Sequence, residues 1–97
     1  MTRYKQEFNK MWDENRQLFE SFKNLHDNFV KNPENYQFRF NKVGKKIVEI
    51  IRDYEARLCG KTERGVYSKF SQNLSDKFWN EVRLHFPKID FVGVKVS

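Results

Sequence analysis

Apolar residues recur along the first third of the chain in steps of four and three. Tyr4, Phe8, Met11, Asn15, Leu18, Phe22, Leu25 and Phe29 make a heptad seam with one polar member. Trp12, Phe19 and His26 lie beside it at seven-residue spacing and widen the apolar face. The pattern predicts one helix over about 3–31, roughly 40 Å long at 1.5 Å per residue. Asn32 then reads as an N-cap, with Pro33 at the first helical position, where a missing N–H costs nothing.

A second periodic segment covers 33–59, with Tyr36, Phe40, Val43, Ile47, Ile50, Ile51, Tyr54 and Leu58 on one face. Gly44 shares that face, where its missing side chain would let another helix approach closely. Asn41 offers an alternative start, which would leave 33–40 as a separate turn. Gly60 stands where a helix-ending glycine belongs. A third segment, about 64–86, carries Tyr67, Phe70, Leu74, Phe78, Val82 and His85 on its face, with Trp79 and Phe86 on the shoulder, and Pro87 stops it. Residues 87–97 differ in kind. Ile89, Phe91, Val92, Val94 and Val96 nearly alternate, which predicts an extended tail that must dock on the helices or pair with another chain. The expected fold is all-α: a three-helix bundle of helices about 3–31, 33–59 and 64–86, forming one domain over 1–97, with an extended C-terminal tail.

Composition sharpens this picture. Ten Phe among 97 residues imply a core built from rings. The net charge of +6 permits an anionic partner, but basic and acidic side chains are spread along the whole chain. A single cysteine, Cys59, excludes an intrachain disulfide and fits a reducing compartment. The opening MTRYKQEFNK has no apolar run of the signal-peptide kind, and no window approaches the roughly 20 apolar residues of a membrane span. A cytoplasmic location without membrane contact is the expectation.

Candidate chemistry is sparse. Gly60-Lys61-Thr62 matches the end of a phosphate-binding P-loop, but the position five residues earlier holds Glu55 instead of glycine, and a helix precedes the triplet where a strand is required. The triplet reads better as a helix end followed by Thr62 as a cap. Cys59 sits near a helix C-terminus, whose negative end disfavours a thiolate. Two His and one Cys fall short of a zinc set, and neither His26 nor His85 follows an acid at the Glu-x-x-His spacing of di-iron bundles. No catalytic residue, metal or cofactor is expected.

Asn15 and His26 are the core polar positions: eleven residues apart, they point the same way on one helix. They either face a shared pocket or act as a register-setting Asn and a satisfied buried His, and the second reading is favoured. The positive binding signal is Tyr36-Gln-Phe-Arg-Phe-Asn-Lys-Val-Gly-Lys-Lys46, which is free of acids. Phe38, Arg39, Lys42, Lys45 and Lys46 fall away from the apolar face, placing a ring amid four cations. Glu49 and Asp53 follow on that side and would pair with Lys45 and Lys46. The expected function is non-enzymatic: protein–protein interaction or self-association as a homodimer, through the first helix and Phe91, Val92, Val94 and Val96. Nucleic-acid binding at the Phe38 patch is the alternative.

Overall fold

In the computed structural model, residues 2–60 and 68–93 are described, those from 68 to 72 by backbone alone. Four helices occur among them: α1 (Arg3–Glu14), α2 (Arg16–Lys31), α3 (Pro33–Gly60) and α4 (Ser68–His85). The all-α expectation stands, but the first predicted helix is two. The break falls at Asn15, whose backbone sits at φ −127° and ψ 33°. Its N–H is shared between the carbonyls of Met11 and Trp12, both at 3.2 Å. Its side-chain Nδ2 donates to Met11 O at 3.0 Å and to the Tyr54 hydroxyl at 3.4 Å. A short polar side chain competes with the helical ladder for backbone partners. Tyr54 of α3 secures the break from the other side by donating its hydroxyl proton to Glu14 Oε1.

Asn32 alone joins α2 to α3, and Pro33 opens the new helix as the sequence predicts. The two helices run antiparallel: Phe29 stacks on Phe40 beside the turn with centroids 4.0 Å apart, while Asn15 meets Tyr54 far from it. α3 continues without a break through Asn41, so the alternative start there is not used. Gly60 is its last described residue; Lys61, Thr62 and the expected start of the third helix at 64 lie outside the described residues.

α4 returns antiparallel to α3, with Ser75 donating to Glu55 and Trp79 lying near Val48 and Glu49. It runs alongside α1, where Phe8 meets Phe78 and Trp12 stacks on Phe86. Buried Phe8, Phe19, Phe22, Phe29, Phe40, Phe78 and Phe86 join one cluster with Met11, Ile47, Ile51, Leu58 and Val82. The seam of the first predicted helix therefore faces the chain's own core: Phe8, Met11, Phe22 and Phe29 are buried, and Tyr4, Leu18 and Leu25 half-buried.

Beyond α4 the tail is not extended where it is described. Pro87 ends the helix and the chain turns into a 3₁₀ turn, Ile89–Phe91. Ile89 enters the core at 2% exposure. Val92 seats on Gly44, where an added Cβ would come within 2.6 Å of a Val92 methyl. Burying Ile89 and half-burying Val92 outweighs the strand preference of the local sequence. Gly93 has a φ of 87° and donates its N–H to Asn41 Oδ1 at 2.8 Å. Val94 and Val96 lie outside the described residues. No helix of the described chain is long and apolar enough to cross a membrane.

Candidate functional site

The outer face of α3 and the returning C-terminal turn enclose a groove of about 790 Å³. One helical stripe forms its length: Phe38, Asn41, Lys42, Lys45, Val48, Glu49 and Arg52 recur at three- and four-residue steps, the spacing of side chains on one helix face. Trp79 of α4 lines it with Ile89, Asp90, Val92 and Gly93 of the turn. Three separated segments thus build one concavity, and the turn is what makes the helix face concave.

The turn is fixed at several points. Asn41 holds Gly93 from α3, and Ile89 and Val92 anchor it apolarly. On the far side, Lys88 N–H donates to His26 Nε2 at 3.1 Å. A ring nitrogen that accepts a hydrogen bond carries no proton, so the neutral imidazole bears its proton on Nδ1 and donates it to Asp27 Oδ1 at 3.3 Å. Burial among Phe22, Phe40 and Phe86 holds the His26 pKa below the usual imidazole value, more than the Asp27 bond raises it. His26 is a satisfied core residue that clasps the turn to α2.

The charges of the groove are unevenly engaged. Asp90 is taken by Arg83, which reaches it through Nε at 2.9 Å and through a second nitrogen at 3.3 Å. Lys42, Lys45, Lys46, Glu49 and Arg52 form no ion pair among the described residues. The expected pairing of Lys45 and Lys46 with Glu49 and Asp53 is therefore not made. Exposed lysines stay solvated because fixing two long side chains costs more entropy than a surface pair returns. Phe38 is 76% exposed, an unusual position for a large ring.

Of the patch read from the sequence, Phe38, Lys42 and Lys45 line the groove. Arg39 and Lys46 are exposed on α3 beside it, and the Arg39 guanidinium lies 5.0 Å from the Tyr36 ring. Sequence reasoning missed Arg52 and Trp79. Arg52 lies one heptad beyond Lys45, a signal that was present; Trp79 belongs to another helix and gave none. Of the proposed association residues, Phe91 is 45% exposed with Lys88 Nζ 4.9 Å from its ring, and Val92 is half-buried on Gly44. Asn15 and His26 do not share a pocket: Asn15 holds the α1–α2 break against Tyr54, and His26 holds the turn.

Burial, aided by the nearby Glu55 carboxylate, pushes the Cys59 thiol up and away from thiolate. Among the described residues no group of three or more His, Cys, Asp or Glu is placed to hold a metal ion. The chain matches no known protein-family pattern, and no curated protein or solved structure proved significantly similar to it.

Proposed function

We propose that this chain is a small helical binding domain, without reaction chemistry of its own, that takes an anionic partner in the groove between α3 and the C-terminal turn. The carrying observation is the cationic stripe Lys42, Lys45 and Arg52, which forms no ion pair among the described residues, beside the exposed Phe38. Unpaired cations in a concave, half-apolar site keep their field for a ligand, and the apolar floor offers contact area that a flat surface lacks. The upward push of burial and Glu55 on the Cys59 thiol and the double engagement of His26 support a non-enzymatic role.

The test is an amide-resolved NMR titration with sodium polyphosphate at low salt. Shifts should gather on residues 38–52 and 89–93, and Lys42→Glu with Lys45→Glu should abolish them. Shifts scattered evenly over the nineteen Lys and Arg, unchanged by the double reversal, would sink the reading.

A protein partner or homodimer remains a second reading, favoured by the exposed apolar side chains Leu84 at 75% and Phe91 at 45%. Its support from the first helix is weaker, since the seam is turned inward. Sedimentation velocity distinguishes the two: a concentration-dependent dimer lost in Leu84→Ser with Phe91→Ser supports self-association, and a monomer at the highest soluble concentration counts against it.

A further inference from the structure

The groove carries more than positive charge. Along one face of α3 it sets an exposed ring at Phe38, cations at Lys42 and Lys45, a carboxylate at Glu49 and a third cation at Arg52, with the half-buried Trp79 ring across from them. Phe38 and Arg52 are fourteen residues apart, about 21 Å along a helix. An acidic peptide would answer the cations but its acidic side chains offer no donor to Glu49, which has no ion pair of its own among the described residues. A nucleotide answers all three features. Its phosphate suits a lysine, its flat base suits an exposed ring, and the exocyclic amino group of cytosine or adenine donates to a carboxylate. A duplex keeps its base faces stacked and out of reach of Phe38.

Resting on the reading of the groove as an anion-binding site, we propose that its ligand is single-stranded nucleic acid. Phe38 is the stacking platform, Lys42, Lys45 and Arg52 neutralise backbone phosphates, and Glu49 favours bases that carry an exocyclic amino group. Single-stranded cytosine and adenine tracts then bind better than thymine or uracil tracts, which present no such donor.

The experiment is fluorescence anisotropy of the whole chain against labelled 12-mers of dC, dA, dT, rC and rU, a hairpin duplex and a poly-glutamate peptide of the same length. With three phosphates engaged, the single-strand slope is about −2 in log K against log salt, so affinity falls ~100-fold per tenfold rise in salt. Lys42→Ala with Lys45→Ala should flatten that slope to roughly −0.7, the value for one remaining contact. Phe38→Ala, at an exposed position whose loss leaves the helical circular dichroism unchanged, should weaken binding about 5- to 150-fold. Glu49→Gln should shrink the preference for dC over dT.

Tight binding of the single strands over the duplex and the peptide, dependent on Phe38 and both lysines, is the expected result. Equal or tighter binding of poly-glutamate or of the duplex, with the lysine dependence kept, overturns the ligand assignment while the anion-binding groove stands. Failure of every anion to bind at low salt, or binding indifferent to Lys42 and Lys45, overturns both.

Discussion

The consequence of His26 is set by two hydrogen bonds that cannot both survive protonation. Nε2 accepts from Lys88 N–H, so a proton added there turns an acceptor into a second donor facing a donor. The charged groups around it are Asp27, which favours the proton, and Lys23 and Lys88, which oppose it. Its folded pKa lies below the unfolded value of 6.5, so the unfolded chain binds more protons over that interval. Stability should hold on a plateau above about pH 6.5 and decline as the pH falls below it, as read by urea unfolding. His26→Gln should flatten that limb, and a variant that keeps the full decline would assign it to other groups. Gly44 gives a second test at the same scale. Ala there gains about 1 kcal/mol of helix propensity but overpacks Val92 at about 1–3 kcal/mol, for a net loss of about 1 kcal/mol. Val92→Ala in the same chain should recover part of that loss, and additive effects would show that the two positions do not touch. Both features were half legible in the sequence. A buried His and a glycine on an apolar face stand out, but their partners lie sixty-two and forty-eight residues downstream.

Among the elements, the break between α1 and α2 separates what periodicity reports from what it does not. A heptad seam fixes which face is buried, and the seam from Phe8 to Phe29 does face the core. It does not fix whether the helix continues, because one residue can reset the backbone while the face keeps its direction. Asn15 resets it, and Tyr54 makes the reset worthwhile by bonding to both Asn15 and Glu14. On seam logic alone, Asn15→Leu would stabilise the chain. The structure gives the opposite expectation: a loss of about 1–3 kcal/mol, seen as a lower melting temperature, because Leu can bond neither the Met11 carbonyl nor the Tyr54 hydroxyl that Asn15 holds. A higher melting temperature would show that the break is incidental. The tail misled for a related reason. Its β-branched residues suit a strand, but Ile89 reaches its buried place and Val92 its half-buried seat on Gly44 only if the chain curls after Pro87. Tertiary burial overrides local preference wherever the segment is this short.

Across the whole molecule, the groove exists only because α3, α4 and the turn meet, so the sequence disclosed its charged stripe but not its concavity. That stripe should be slightly costly to the fold. Lys42 stands three and four residues before Lys45 and Lys46, and like charges at that spacing destabilise a helix. Lys42→Glu should therefore stabilise the chain by roughly 0.5 kcal/mol while removing anion binding, a split that thermal melts and the titration read separately. A loss of stability would mean that Lys42 is structural. The one-residue joint at Asn32 bears on something else, the order of assembly. Two antiparallel helices joined by a single residue meet at a small loop-closure cost, whereas the turn must find α2 and α3 across most of the sequence. The α2–α3 hairpin is then the natural folding nucleus. Phe29→Leu and Phe40→Leu should slow refolding in stopped-flow traces, and Ile89→Val should chiefly speed unfolding. If Ile89→Val slowed refolding as much as the Phe variants do, the hairpin would not come first. In that order of events the cationic stripe on α3 is present before the turn gives it a wall, and the chain acquires its charge early and its shape last.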